Sequence, residues 1–228
     1  MSKKSVVFVN GSPKIGEDSV SGYLTTMGIE LFEDDDLDIY DIHIRRSMSR
    51  LKTEEDFPFM RKADAIVFIF PLYIFCLPGI VIRFLQDYYA YWLQGKDKTN
   101  TNQRIYAVIN CGFPESGINE EAAAVIQSFS EKTGSIYRFV LLIGGGGMLL
   151  GAKEAPFMKN TLNSIKDAFR LMHDDIAAGA SAPIPDRYVE MNFPRKLYLF
   201  MGNRGWYSMA RKNGLSKKDL LAKPYLHK

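Results

Sequence analysis

The stretch VVFVNGSPKIGEDSVSGYL, residues 6–24, decides how this chain is read. Val6 to Val9 form a short continuous apolar run, the pattern of a parallel strand covered on both faces. A loop from Asn10 to Asp18 follows, and a helix begins at Ser19. Gly11 and Gly16 allow tight turning, Ser12 and Ser19 add hydroxyls, and the helix start turns its N–H groups back toward the loop. This is a place for a phosphate.

Two phosphate signatures fail here at particular positions. Gly11 and Gly16 have the GxxxxG spacing, but a nucleoside triphosphate loop continues with Lys and Ser or Thr, where this chain has Glu17 and Asp18. The dinucleotide fingerprint GxGxxG is absent because Pro13 stands where its second glycine belongs. A monophosphate held by hydroxyls and backbone is what remains, although an ordinary strand-to-helix turn would have the same outline.

Composition narrows the classes. The 228 residues, 46% of them hydrophobic, can bury one sizeable core with an appendage. The start, MSKKSVVFVNGSPK, has no apolar segment of signal-peptide length, so a cytoplasmic location is expected. Cys76 and Cys111 are too few for a disulfide framework or an iron–sulfur cluster and are read as reduced packing residues. His43, His173 and His227 lack zinc spacing, and no GxSxG elbow occurs, so no metal site and no serine hydrolase are expected. Residues 195–228 hold nine Lys or Arg and one acid, Asp219, a local charge of +8; with +3 for the whole chain, the rest carries −5. Basicity confined to a terminal segment does not indicate nucleic acid.

Apolar runs and helical periodicity alternate along the chain, which predicts an α/β fold with a doubly wound, five-stranded parallel sheet. The strands are expected near Ser5 to Val9, Leu37 to Ile42, Ala65 to Phe70, Arg104 to Asn110 and Ile136 to Ile143. Helices are expected near Ser19 to Phe32, Glu54 to Lys62, Gly79 to Leu93, Glu120 to Lys132 and Ala155 to Ile176, with the acidic EDDD at Glu33 to Asp36 as a solvated turn. The domain is read as residues 1–182 and a basic, aromatic extension as residues 183–228. That extension suits packing on the acidic body or on a second subunit, which makes a homodimer the expectation; peripheral contact with an anionic membrane is the weaker alternative.

Ligands of open parallel sheets bind beyond the carboxyl ends of the strands, where the loops after strands one, three and four converge. The third-strand loop, FPLYIFCLPG, is stiffened by Pro71 and Pro78 and offers flat apolar surface at Tyr73, Ile74 and Phe75. It could grip an aromatic ring or merely cap the sheet. The fourth-strand loop, NCGFPESG, permits close backbone approach at Gly112 and Gly117 beside Phe113. Gly144 to Gly147 allow either a flexible lid or close approach of another backbone. Arg45, Arg46, Arg50 and Lys52 read as a solvated face, with the extra phosphate of NADPH as the sharper option.

Taken in order, NGSPK with Ser19, then ADAIVFIFPLY, then PGIVIRFLQD resemble the NADPH-dependent FMN reductases and the flavodoxin-like quinone and azo reductases, over about residues 5–176. The resemblance implies a flavodoxin-like fold with FMN as cofactor and NADPH or NADH as reductant. It places the FMN phosphate at Ser12, Lys14 and Ser19. It places the isoalloxazine between Pro71, Leu72, Tyr73, Ile74 and Phe75 on one side and Cys111, Gly112, Phe113 and Glu115 on the other. It further implies hydride passing from a nicotinamide through flavin N5 to a small acceptor such as a quinone, azo or nitro compound, with no catalytic side chain. A flavodoxin-like carrier that binds FMN without oxidising NAD(P)H is the alternative.

Overall fold

The computed structural model describes residues 3–14, 18–33, 37–95 and 102–223; Gly16, Glu17, Asp34 to Asp36 and His227 lie outside them. Six strands, β1 (Lys4–Asn10), β2 (Leu37–His43), β3 (Ala65–Pro71), β4 (Arg104–Asn110), β5 (Ile136–Ile143) and β6 (Arg187–Val189), form one sheet in the order β2-β1-β3-β4-β5-β6. Every pairing is parallel. The expected strands stand within a residue or two of their predicted bounds, because the central ones are covered on both faces and must be apolar throughout. Ala65 to Phe70 and Ile105 to Ile109 are at most 1% exposed.

The strand count differs from the expectation by one. β6 is three residues long, Arg187 and Tyr188 are exposed, and only Val189 is buried, so no apolar run announces it. It pairs with β5 at the sheet edge through Leu141 to Ile143.

The helices are α1 (Val20–Phe32), α2 (Ile44–Ser49), α3 (Thr53–Lys62), α4 (Gly79–Gln94), α5 (Glu120–Lys132), α6 (Met148–Gly151), α7 (Lys159–Ala178) and α8 (Arg195–Lys212). Phe57 and Met60 of α3, Phe84 and Tyr88 of α4 and Ile126 of α5 bury one sheet face with Val7, Val9, Phe68, Ala107 and Val140. On the other face, Phe8 meets Phe32 edge-to-face at 5.1 Å. Gly28 of α1 fits there because a Cβ would stand 2.7 Å from Phe169 and 2.8 Å from Phe8.

Two compact units make up the chain, Met1–Met191 and Asn192–Lys228. Residues 183–191, grouped with the extension by sequence, include β6 and belong to the first unit. The second unit contains α8, which holds five Lys or Arg and no acid, and a 3-10 turn at Asp219–Leu221. Among the described residues no helix is long and apolar enough to cross a membrane.

Candidate functional site

The chain runs from β1 outward to β2 and then crosses back to β3 on the other side of β1. The loops leaving β1 and β3 therefore diverge, opening a crevice at the carboxyl ends of the strands.

On the β1 side, the loop is held by its own polar side chains. Asn10 is 5% exposed, and its Oδ1 accepts the Ser12 N–H at 2.9 Å; Ser12 Oγ accepts the Lys14 N–H at 3.3 Å. Such local bonds replace the ladder that ends at Asn10. Gly11 donates its N–H to the Ile69 carbonyl at 2.8 Å, and a Cβ there would lie 2.6 Å from Val81 Cγ2. Only glycine lets the loop cross that closely. Arg45 Nη1 donates to the Pro13 carbonyl, so this member of the basic run secures the loop. Ser19 caps α1, its Oγ accepting the Gly22 N–H at 3.0 Å.

A cavity of about 500 Å3 opens beside this loop and the start of α1, lined among others by Asn10, Lys14, Ser19, Gly22, Arg46 and Lys153. Lys14 and Ser19, two of the expected phosphate contacts, border it. Ser12, the third, is 2% exposed and engaged in holding Lys14. Three cations outnumber the acids Asp18 and Asp41 on the same wall. His43, also on that wall, has a buried Nδ1 with no hydrogen-bond partner, and burial together with Arg46 holds its imidazole below the ordinary pKa. Arg46, Arg50 and Lys52 are exposed, Lys52 pairing with Glu55 at 3.6 Å on the surface, so Arg45 alone of the basic run is half-buried.

The β3 loop makes a tight reversal. Tyr73 and Cys76 exchange both backbone hydrogen bonds, at 2.8 and 3.0 Å, around Ile74 and Phe75, whose φ values are +49° and +59°. Positive φ at both central residues is the type I′ signature, normally occupied by Asn and Gly. A β-branched isoleucine there is strained. The turn points its side chains outward: Ile74 is 95% and Phe75 57% exposed, and Tyr73 is exposed too. Pro71 and Leu72 are half-buried, and Leu72 donates its N–H to the Asn110 carbonyl at 2.7 Å.

Opposite lies the loop after β4. Cys111 is buried, and burial pushes its thiol up, which keeps it neutral. Gly112 and Phe113 are exposed and Glu115 is half-buried. Phe113 stacks on Phe75 with ring centroids 5.6 Å apart and planes 22° from parallel, joining the two loops. The four-glycine run supports this loop from behind. Gly145 and Gly146 donate N–H groups to the carbonyls of Phe113 and Cys111 at 2.5 and 2.7 Å, and a Cβ on Gly144 would stand 2.1 Å from the Pro114 oxygen. Of the two roles open for the run, close backbone approach is the one these contacts match. β6 braces the same loop, since Gly144 donates to the Val189 carbonyl at 2.9 Å and Glu190 accepts from Ser116 N and Oγ.

Sequence reasoning did not single out Asn10, Asn110 or Glu190. Asn110 donates to Ser21 Oγ and to the Phe70 carbonyl, each at 3.2 Å, tying the ends of β4 and β3 to α1. Its signal was available: β1 and β4 both end in Asn immediately before a loop. Glu190 left none, because its partner is 74 residues away.

Solved structures with the same architecture are numerous. An FMN-dependent NADH-azoreductase from Bacillus anthracis, in complex with FMN, aligns with a TM-score of 0.54 at 13% identity, covering 75% of this chain and 99% of that one. The apo form of the NADH:FMN oxidoreductase EMOB aligns at 0.55 and 18%, covering 75% and 90%. This is the flavodoxin-like fold. RosB, solved with bound 8-demethyl-8-formylriboflavin-5′-phosphate, shares the flavodoxin-like fold over 90% of this chain and 87% of its own, at a TM-score of 0.56 and 10% identity. No family model and no curated protein matches the sequence.

Proposed function

We propose that this protein is an FMN-dependent NAD(P)H oxidoreductase that passes a hydride from a nicotinamide to a small acceptor such as a quinone, azo or nitro compound. One arrangement carries the reading. The cavity at Lys14, Ser19 and the start of α1, and the aromatic loops of β3 and β4, both stand at the carboxyl ends of the parallel strands.

These residues fit FMN. Lys14, Ser19 and the first turn of α1 would hold the phosphate, with helix dipole and ammonium both favouring an anion. Leu72, Tyr73 and the 111–113 backbone would border the ring. When bound, FMN supplies the hydride chemistry, and the protein contributes position and electrostatics. Tyr73, Phe75 and Phe113, all exposed, would cover part of a bound ring. Structures described as FMN-dependent NADH-azoreductase and NADH:FMN oxidoreductase among the fold neighbours support the same reading.

Incubation with FMN followed by desalting tests it. A yellow protein bleached by NADPH or NADH is expected, and a colourless one overturns the proposal. The exposed apolar rim at Tyr73, Ile74 and Phe75 also suits docking of a protein partner, as an electron carrier would need. Reduction by dithionite but by neither nicotinamide would select that carrier.

The second unit is part of the proposal. Its charge of +8 against −5 for the rest suits contact with a second copy, making a homodimer. Deleting residues 192–228 is expected to turn a dimer into a monomer, read from the ratio of the mass in solution to that of the shortened chain by light scattering. The free thiols of Cys76 and Cys111 suit a reducing, cytoplasmic compartment.

A further inference from the structure

Ser116 opens the 3-10 turn Ser116–Asn119 that ends the β4 loop, and it is 1% exposed. The first N–H of a helical turn has no partner inside the turn and must find one elsewhere. Glu115, the residue before it, does not cap the turn with its side chain. The cap comes from Glu190, 74 residues further along the chain: one carboxylate oxygen, Oε1, accepts both the Ser116 N–H at 3.0 Å and the Ser116 hydroxyl at 3.2 Å. Charge on the acceptor makes such bonds stronger than neutral ones.

Ser116 passes this hold on to the loop. Its carbonyl accepts from Asn119 Nδ2 at 2.9 Å, and the same amide nitrogen reaches Cys111 Sγ at 3.5 Å. Cys111 Sγ in turn meets the carbonyls of Phe113 and Glu115 at 3.5 and 3.7 Å. The buried Ser116, Asn119 and Cys111 therefore tie the turn to residues 111–115, the stretch whose backbone is proposed to border the ring.

Glu190 reaches Ser116 because the chain is pinned on both sides of it. Asp186 Oδ1 accepts the Val140 N–H at 2.8 Å, the Val189 carbonyl accepts the Gly144 N–H at 2.9 Å, and Met191 is buried against Gly145. Val189 is the one buried residue of β6. Core packing is thus a small part of what this strand adds; it delivers a carboxylate to the β4 loop.

We propose that Glu190 is a positioning residue for the flavin: by capping Ser116 it fixes the 111–113 backbone against which the ring is held. This rests on the oxidoreductase reading and adds the residue that sets how firmly the site grips its cofactor. Glu190 is itself exposed and acts through Ser116, so its removal should loosen the loop without unfolding the body.

The test compares full-chain variants by two measurements: FMN affinity from quenching of flavin fluorescence, and hydrogen exchange of residues 111–119 in the flavin-free protein. Glu190→Ala is expected to weaken FMN binding about twofold to tenfold, the loss for one hydrogen bond, and to speed exchange at Ser116 by a similar factor. Glu190→Gln keeps Oε1 as an acceptor and should bind FMN within about twofold of the parent. Ser116→Ala added to Glu190→Ala should cost little more than Glu190→Ala alone, because both act through one contact. Tyr188→Phe, which removes the neighbouring bond from β6 to Glu120, should leave FMN affinity unchanged. Melting temperatures report the folding of every variant. FMN binding that survives Glu190→Ala overturns the proposal. So does a Glu190→Gln variant that falls as far as the alanine one, or a Tyr188→Phe variant that falls equally. If the parent chain takes up no FMN, the oxidoreductase reading fails on its own. The exchange rates then still decide whether Glu190 holds the loop: faster exchange in Glu190→Ala upholds it, and unchanged exchange overturns it.

Discussion

Arg138 of β5 donates from Nε and Nη2 to the two carboxylate oxygens of Asp175 on α7, each at 2.7 Å, with both side chains almost wholly buried. The same carboxylate accepts from Tyr106 Oη at 2.5 Å and from Arg104 Nη1 at 3.3 Å. The guanidinium groups also donate to the carbonyls of Ala180 and Ala182, each at 2.9 Å. This cluster anchors the end of α7 and the segment that leads to β6, the strand that braces the β4 loop. Asp175→Asn leaves two buried arginines without their counter-charge, and breaking such a cluster costs about 3–5 kcal/mol. A lowered denaturant midpoint in urea is the expected outcome.

The cluster also sets a pH dependence. Burial pushes the Asp175 carboxyl up, but hydrogen bonds from Arg138 and Tyr106 and the charges of Arg138 and Arg104 outweigh it and hold the group below its ordinary value. The unfolded chain therefore takes up the proton first as pH falls, near the free carboxylate value of about 3.9. The stabilisation is full above that pH and is lost as pH drops toward the folded value. The difference in unfolding free energy between the parent and Asp175→Asn should be constant from pH 7 to pH 5 and shrink below about pH 4.

Four successive glycines should respond very differently to alanine. At Gly144 the new Cβ meets the backbone oxygen of Pro114 at 2.1 Å, and at Gly145 φ is +68° with Met191 Cγ at 2.4 Å. Overpacking of this kind costs about 1–3 kcal/mol. At Gly147 nothing lies within 4 Å and φ is not positive. Gly144→Ala should lower the melting temperature and weaken FMN uptake through the shifted 111–116 loop, whereas Gly147→Ala should change neither.

On the β1 loop, Ser19→Ala removes the cap on α1, worth about 1 kcal/mol, together with one hydroxyl of the proposed phosphate site. Lys14→Gln removes charge and no cap. Fluorescence titration should show weaker FMN binding in both, but only the serine variant should lose stability. The defect in Lys14→Gln should shrink as salt is raised, because salt screens the parent's attraction.

Relaxing the strained turn separates stability from binding. Ile74→Gly puts the residue suited to φ +49° where isoleucine is strained, a gain of about 1 kcal/mol. Greater thermal stability is expected, read as a raised melting temperature, with FMN binding measured by fluorescence titration as the second readout.

What could be read from the sequence was whatever depends on neighbours along the chain. Continuous apolar runs located β1 to β5, since a strand between two helical layers has no solvent side. Ser19 was legible as a helix start because a cap acts on residues three positions away. The gathering of loops at one end of the sheet followed from the alternation of strands and helices, which makes the strands parallel. α2 was missed because IRRSMS shows no apolar period, and β6 because three edge residues need little burial.

The tertiary structure decided what depends on distant partners. No local pattern tells whether a glycine run is free or pressed against Pro114, whether Arg45 is solvated or bonded to Pro13, or that Asp175 will meet two arginines 71 and 37 residues away. The Ile74–Phe75 turn is the sharpest case: local preference opposes its backbone, and the hydrogen bonds between Tyr73 and Cys76 and the ring of Phe113 accompany it. Residues 6–24 determined the first strand and helix of the layered fold and the loop where a phosphate is proposed, because strand burial and helix capping are short-range. The shape of the loops after β3 and β4 is set by contacts that only folding brings together.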